Sequence, residues 1–297
     1  MTNICLYIDL QTNHQTPGSQ YSFKPDWFNF AAIDLDSQNQ QYTVFFEAIL
    51  TLLNTYTVTG LNLAIPGSLL RQIDYYEPLK KVITKLASHP TLEYLAQPHT
   101  GFTQQVFSSE IEFYNQVKHY QTLVQNILQA EVKVFFAKNI YLSNQFLQEL
   151  ARLSFQGVLV TNHNQLSLSH QHPNFVYLDK QEQLKVLIHN EIATSQLEDL
   201  LLNEDYHEIE TFVESLIDSG EVVNLVFNWE TLLNKWELLE ALIIEINKYP
   251  KDLFLSTASH VLAQTNGIST IALPDINVKT SRRHWLSSTL DIFGFGF

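Results

Sequence analysis

The sequence predicts an α/β fold of parallel strands joined by helical crossovers, and three observations lead to that prediction. Strand-like apolar runs alternate with helix-like segments along the whole chain, which is the order of βαβ units. The stretch Val222–Thr231 begins apolar and β-branched and ends polar, as a buried parallel strand with a polar mouth does. The 297 residues are 45% hydrophobic and 12% aromatic, which is enough to bury a sizeable core.

Each strand is predicted from a short apolar run that ends at a turn residue or a polar residue. The predicted strands are 4–10, 61–66, 92–98, 132–137, 157–161, 175–178, 184–188, 222–227 and 253–256. Helices are predicted where apolar side chains recur at helical spacing. The predicted helices are 42–56, 67–88, 108–130, 144–153, 195–202, 205–219 and 236–248, and a polar, aromatic tail follows the last strand. No glycine-rich phosphate loop follows any strand, so a nucleotide-binding loop is not expected.

Composition excludes several classes of partner. Asp and Glu number 31 against 17 Lys and Arg, which gives a formal net charge of −14. That charge repels nucleic acid and anionic membrane surfaces, so neither is expected as a partner. No apolar stretch reaches the roughly 18–20 residues of a membrane span, and the start of the chain lacks the basic region of a signal peptide. The single cysteine, Cys5, suits a reducing compartment, so a cytoplasmic location is expected.

The polar end of Val222–Thr231 is the first candidate for a site. With period-two alternation, Asn224 and Asn228 share one face, so Asn228 is expected to point into the mouth of a parallel barrel, where the chemistry of such barrels lies. Asp9, two residues before Gln11, is expected on the same side of the first strand. Interior carboxylates such as Asp9 more often serve structure than chemistry.

Five segments, in this order along the chain, resemble motifs of glycoside hydrolase family 57, the α-amylase-like group. They are 4–7, 92–96, 134–157, 222–231 and 257–261. In the family, these regions include a first strand leading to His-Gln-Pro, a Glu-Thr-Tyr-x-His segment, the strand and helix of the nucleophile, V-x-N-L-x-x-D-x-E-T, and T-P-S-E-V. The resemblance implies a distorted (β/α)7-type barrel with a helical C-terminal portion. It also implies one domain, with the barrel over about 1–262 and a C-terminal segment over 263–297.

The positions that carry the family's chemistry are changed in this chain. By resemblance, Asn139 stands at the nucleophile and Asn228 at the general acid. Six further family positions are altered, and they hold Gln11, Thr12, Asn13, Gln97, Gly101 and His260. A retaining glycosidase needs two carboxyl groups about 5–5.5 Å apart. An amide has neither the negative charge nor the proton exchange of a carboxyl group, so no catalytic residue is expected.

The sequence therefore predicts a catalytically inactive family homologue that binds an α-glucan or oligosaccharide, or a protein partner in carbohydrate metabolism. One alternative is an active α-glucan hydrolase or transglycosylase with relocated carboxylates, such as Asp9 and Glu230. Another is a structural partner whose cleft is vestigial. The predicted cleft residues are Asp9, Gln11, Gln97, His99, Asn139, Asn228, Trp229, Glu230 and His260. An aromatic platform for a sugar is expected from Tyr141, Trp229 or Trp285.

No cofactor and no metal are expected. The loop 161–173 contains His163, His170 and His172, but it lacks the helical His-x-x-x-His spacing or the cysteine partners of a zinc site. The loop is therefore predicted to be a solvated connection.

Overall fold

The computed structural model of the chain describes residues 1–11, 35–98, 110–138, 143–161, 172–181, 184–202, 207–233 and 235–271. The strands within these ranges are β1 (Thr2–Asp9), β2 (Leu61–Ala64), β3 (Leu92–Tyr94), β4 (Val134–Ala137), β5 (Gly157–Val160), β6 (Tyr177–Leu178), β7 (Lys185–Ile188), β8 (Val222–Asn228) and β9 (Leu253–Leu255). The helices are α1 (Leu35–Thr55), α2 (Gly67–Tyr75), α3 (Glu77–Ala87), α4 (Glu110–Leu128), α5 (Asn144–Arg152), α6 (Glu191–Leu202), α7 (Glu208–Ser215), α8 (Trp229–Leu233), α9 (Trp236–Ile246) and α10 (Ala258–Gln264).

The strands form two mainly parallel sheets that are linked on both sides. One sheet runs β3-β2-β1-β8 with β9 also paired to β1, and the other runs β4-β5-β7-β6, in which β6 is antiparallel. A bridge between Ala96 and Phe135 joins β3 to β4, and the Asn190 N–H donates to the Asn224 carbonyl at 2.9 Å beside β7 and β8. Seven parallel strands therefore follow one another in the order β1, β2, β3, β4, β5, β7, β8. This arrangement agrees with the predicted distorted (β/α)7-type barrel.

Alternation along the strands separates an inner core from an outer one. On β1, Cys5 and Tyr7 belong to the inner apolar cluster, whereas Ile4, Leu6 and Ile8 pack in the outer cluster with the helices. Both faces of the strand are therefore covered, which explains why β1 is buried along its whole length. Because side chains alternate, the residue above Tyr7 on the inner face is Asp9.

The amino-terminal end of the barrel is filled by α10. Ala258, Val261 and Leu262 belong to the inner apolar cluster. At Gly157, the first residue of β5, an added Cβ would lie only 2.5 Å from Leu262, so this close approach requires glycine. The Lys185 ammonium at the start of β7 donates to the Leu262 carbonyl. The chain after β9 thus begins with a barrel-filling helix, and the prediction of a tail directly after this strand was wrong.

Three side chains accept hydrogen bonds from the first turn of α10. Asn62 Oδ1 accepts from the Ala258 N–H at 2.9 Å, and the Glu93 carboxylate accepts from the Ser259 N–H at 2.8 Å. Thr257 Oγ1, at the N-cap, accepts from the His260 N–H at 3.4 Å. These acceptors satisfy backbone donors that the helix itself leaves unpaired.

In the described part of the chain, no helix is both long enough and apolar enough to cross a membrane.

Candidate functional site at the barrel mouth

A pocket of about 360 Å³ lies where the carboxyl ends of β1, β4, β5, β7 and β8 meet helix α6. Its lining residues are Asp9, Phe136, Lys138, Thr161, His189, Glu191, Thr194, Ser195, Glu198, Val226, Phe227 and Asn228. Ligand pockets of proteins occupy ~300–1,000 Å³, so this one is at the small end of that range. Parallel barrels place their binding and catalytic groups at this end of the strands.

An ion pair between Asp9 and Lys138 lies in the pocket. Asp9 is the last residue of β1 and is 2% exposed, and Lys138 follows β4 directly. Lys138 Nζ donates to Asp9 Oδ2, and the Gln11 backbone N–H donates to Asp9 Oδ1 at 3.0 Å. Burial raises the pKa of the Asp9 carboxyl, while Lys138 and the Gln11 N–H act in the opposite direction. Both carboxylate oxygens are therefore engaged within the protein.

Asn228 stands beside Asp9 at the end of β8, where the two residues are register partners. Its Oδ1 accepts from the Glu230 N–H at 2.8 Å, and its Nδ2 donates to the Gln11 carbonyl at 3.4 Å. The first of these bonds serves the amino terminus of α8, which begins at Trp229. The Asn228 amide therefore connects backbone segments.

Helix α6 forms a polar wall of the pocket. Its pocket-lining residues are spaced i, i+3, i+4 and i+7, as one face of a helix requires, and they are Glu191, Thr194, Ser195 and Glu198. The Ala193 N–H donates to Asn190 Oδ1 at 2.9 Å at the start of this helix. Burial, and then the charge of Asp199, raise the pKa of the Glu198 carboxyl.

A histidine and a threonine meet beside this wall. His189 follows β7 directly, and its Nε2 lies 2.8 Å from Thr194 Oγ1. The same hydroxyl accepts from the Val226 N–H at 3.4 Å. These contacts connect α6 to β7 and β8, and so fix the helix against the strands that form the mouth.

The predicted cleft residues divide into several groups. Asp9 and Asn228 line the pocket, and Gln11 contributes the backbone contacts given above. Gln97 is 3% exposed, is not among the lining residues, and its Nε2 has no hydrogen-bond partner among the described residues. Glu230 is exposed on α8 and also does not line the pocket. His99 and Asn139 lie outside the described residues, as do Gly101, Tyr141 and Trp285.

Trp229 lies in the core, away from the pocket lining. Its side chain is 2% exposed, and its ring stacks on Tyr42 with a centroid distance of 4.5 Å. Phe45 approaches the same ring edge-on at 5.7 Å. The indole is therefore buried beneath α1, and in this structure it offers no platform to a sugar.

His260 is separated from the mouth by the length of the barrel. It is exposed in the first turn of α10, whose neighbouring backbone groups bind Asn62 and Glu93 near the starts of β2 and β3. Its ring lies 6.1 Å from that of Phe254. The segment that resembles the family's T-P-S-E-V motif thus lies at the amino-terminal end of the strands.

Sequence reasoning missed most of the pocket, although two signals were present. Lys138, Thr161 and His189 are polar residues that stand directly after buried strands β4, β5 and β7. The second signal is the polar stripe of α6, which lies on the side of the helix that would ordinarily carry apolar residues toward the barrel.

Among the described residues, no group of three or more His, Cys, Asp or Glu side chains could hold a metal ion. His163 and His170 of the predicted loop lie outside that part of the chain. We expect the protein to carry no stoichiometric zinc, because neither thiolates nor a fixed histidine spacing is present in the loop sequence. Elemental analysis after gel filtration is the measurement. One zinc per chain, lost when His170 and His172 are replaced by Ala, would contradict this expectation.

Known proteins share this architecture. The profile of Glycosyl hydrolase family 57 matches residues 10–278. No curated protein sequence gives a significant match. A 4-alpha-glucanotransferase from Thermococcus litoralis has a TM-score of 0.69 at 16% identity and covers 99% of this chain, which spans only 46% of that enzyme.

Two further solved structures are similar over nearly the whole chain. The alpha-amylase AmyC from Thermotoga maritima has a TM-score of 0.64 at 11% identity, with 98% of this chain and 80% of that one covered. A branching enzyme from Pyrococcus horikoshii has a TM-score of 0.64 at 7% identity, with 92% and 72% covered. These likenesses confirm the predicted fold class. Because the family profile spans most of the sequence, the chain belongs to glycosyl hydrolase family 57.

Proposed function

We propose that the protein is a catalytically inactive member of its family that binds an α-glucan or a related oligosaccharide at the barrel mouth. The observation that carries the proposal is that the Asn228 amide, at the position that the resemblance assigns to the general acid, is occupied in backbone hydrogen bonds on both sides. An amide cannot donate and recover a proton in the manner of a general acid. The same replacement at Asn139, inferred from the sequence, removes the nucleophile.

The contact between Asp9 and Lys138 also supports the absence of hydrolysis. Glycoside cleavage passes through a transition state in which positive charge develops on the sugar ring, and a retaining enzyme meets that charge with a carboxylate. Asp9 balances the charge of Lys138 through direct contact, so Asp9 is not an unpaired carboxylate ready to act as a nucleophile.

The two carboxylates that a relocated active site would use are poorly suited to it. Asp9 binds Lys138 and the Gln11 N–H, and Glu230 lies outside the pocket lining. A retaining mechanism needs two carboxyl groups that flank one glycosidic bond. The pair Asp9 and Glu230 therefore gives little support to the alternative of an active hydrolase or transglycosylase.

Binding has better support than catalysis, because the pocket offers both donors and acceptors. The α6 wall supplies the carboxylate of Glu198, which can accept hydrogen bonds, and the exposed hydroxyl of Ser195, which can also donate one. A sugar hydroxyl can donate a hydrogen bond to a carboxylate and accept one from a protein hydroxyl. The glucan-acting enzymes of similar fold make an α-glucan the first ligand to test. A protein partner in carbohydrate metabolism remains the second candidate for the same surface.

We expect maltooligosaccharides to bind weakly, with a dissociation constant in the millimolar range, or about −4 kcal/mol. Glu198→Gln should weaken binding about tenfold by removing one charge-assisted hydrogen bond, and Ser195→Leu should abolish it by filling the pocket. Ligand-observed NMR and titration calorimetry are the measurements.

Glu131→Gln is the matched control, because Glu131 lines a separate surface groove between α4 and α5. Affinity that is the same in Glu198→Gln, Ser195→Leu and the control would show that the mouth pocket is not the site. A different outcome is that the protein binds no saccharide but specifically captures one protein, and that Ser195→Leu abolishes this capture. That outcome would favour a protein partner at the mouth.

A further inference from the structure

Lys138 and Asp9 reach each other from opposite sides of the barrel mouth. Asp9 ends β1 and Lys138 follows β4, which is three strands further along in the strand order. Both continue the inward alternation of their strands, Asp9 above Tyr7 and Lys138 above Phe136. The lysine side chain therefore crosses the mouth to make this contact.

The ion pair of Asp9 and Lys138 lies above buried side chains of the barrel core and faces the pocket. Tyr7 and Phe136 are fully buried, and the Tyr7 hydroxyl donates to Asn224 Oδ1 at 2.9 Å and so is directed away from Asp9. The side chain of Asp9 is 3% exposed, whereas that of Lys138 is 27% exposed. Asp9 and Lys138 both line the pocket, and the Lys138 side chain is the more exposed of the two.

We propose that the Lys138 side chain fills part of the barrel mouth. Its ammonium binds Asp9 at the position where an amine or hydroxyl group of a ligand would otherwise bind. In this arrangement a bound saccharide is confined to the α6 side of the pocket. Removal of the side chain opens a site for a small primary ammonium ion, or for a further part of a sugar, directly against Asp9. The saccharide part of this inference rests on the proposed function, and the ammonium part does not.

The ammonium part is tested with n-butylammonium chloride, which has the size and charge of the lysine side chain. Lys138→Ala leaves Asp9 without its cation, so we expect n-butylammonium to raise the melting temperature of this variant in proportion to ligand occupancy. Sodium chloride at equal ionic strength should not do so. The wild-type protein, in which the place is filled, and the Asp9→Asn, Lys138→Ala double variant, which lacks the carboxylate, should show no selective shift. Equal shifts in all three proteins, or none in Lys138→Ala, would overturn the proposal.

The saccharide part is tested by maltotriose binding to the wild type, Lys138→Ala and Lys138→Met. We expect Lys138→Ala to bind about tenfold more tightly than the wild type, the gain from one charge-assisted hydrogen bond to the uncovered carboxylate. Lys138→Met keeps an unbranched stem without the charge, so it should show no such gain. Unchanged or weaker binding by Lys138→Ala would mean that the lysine contacts the sugar or has no part in its binding, and would overturn the inference.

The outcomes separate this inference from the proposed function. Binding that Lys138→Ala gains and the wild type lacks supports the inference and contradicts saccharide binding by the natural protein. Binding by the wild type that Lys138→Ala does not improve leaves the proposed function standing and overturns the inference. Should Lys138→Ala fail to fold, Lys138→Ser carries both tests, because its short side chain also leaves the Asp9 carboxylate uncovered. Failure of Lys138→Ser to bind maltotriose more tightly than the wild type would then overturn the inference.

Discussion

Purified protein incubated with starch, glycogen or maltooligosaccharides is expected to release no reducing sugar above the buffer control. The sequence resemblance assigns Asn139 and Asn228 to the positions of the family's two catalytic carboxyl groups. When catalytic groups act as a unit, removal of one of them abolishes most of the catalysis. In a well-measured hydrolase, kcat then falls about 10⁶-fold. Asp9 is held by Lys138, so it is not free to replace either group. A reducing-end assay with long incubation is the measurement.

Restoring both carboxyl groups is expected to be insufficient. In the double variant Asn139→Glu, Asn228→Asp, the neighbouring changes at Gln11 and Gln97 remain, and Lys138 still occupies the mouth. Catalytic groups work only when the surrounding contacts hold them in a productive geometry. Adding Lys138→Ala to the double variant is the informative comparison, because it removes the cation as well.

Turnover by the wild-type protein would contradict the proposed inactivity. Its loss in the double variant Asp9→Asn, Glu230→Gln would then favour the relocated carboxylates. Its loss in Glu198→Gln would instead identify the half-buried acid of α6. Turnover that persists in all of these variants would exclude both readings, and the acid would have to be sought elsewhere in the chain.

The sequence was sufficient to locate the barrel strands because each of them carries its own local signal. The apolar runs at β1, β4, β5 and β8 are covered on both faces, and continuous apolar runs are typical of such strands. Helix boundaries were harder to predict. The single helix predicted over 67–88 is two helices, since the chain is extended at Tyr76 and Pro78 lies in the first turn of the second. Proline is tolerated in a first turn and breaks a helix further in.

Trp229 shows why the sequence could not predict which neighbours of a site residue line the pocket. The residue follows Asn228 directly, but Asn228 caps a short helix, and the chain turns there. The indole then packs on Tyr42 and Phe45, more than 180 residues earlier in the sequence. No local pattern encodes such a contact. His260 was misplaced for a related reason, since the side chains of Asn62 and Glu93 that hold α10 belong to distant strands.

Both residues of the ion pair stand out in the sequence, but their contact could not be predicted from it. Asp9 was recognised as an interior carboxylate, and its structural role as the partner of Lys138 could not be assigned because 129 residues separate them. Lys138 directly precedes Asn139, and the family resemblance gives a role only to Asn139. A polar residue placed directly after a buried parallel strand is itself a signal of a mouth position.

Lys138→Met is expected to lower the free energy of unfolding by about 3 kcal/mol at pH 7, because it leaves the buried Asp9 charge without a partner. The double variant Asp9→Asn, Lys138→Met should recover most of that loss, since it removes both charges and keeps similar side-chain shapes. Urea denaturation with unchanged slopes is the measurement. Equal losses in the single and double variants would show that the lost packing of the lysine stem, and not the uncompensated charge, causes the effect.

The pH dependence of that loss provides a second and stricter check. Burial raises the pKa of Asp9 in the folded chain above its unfolded value of about 3.9, so the folded state binds this proton more tightly than the unfolded state. The cost of ionised Asp9 is then complete above the folded pKa, declines as the pH falls toward the unfolded pKa, and is absent below it. Without Lys138 the folded pKa rises further, and the deficit of Lys138→Met relative to the double variant should shrink as the pH is lowered from 7.5 to 5. A deficit that stays constant over this range would mean that Asp9 remains ionised in the folded variant throughout and that burial does not raise its pKa appreciably, and would contradict an uncompensated buried charge as the source of the deficit.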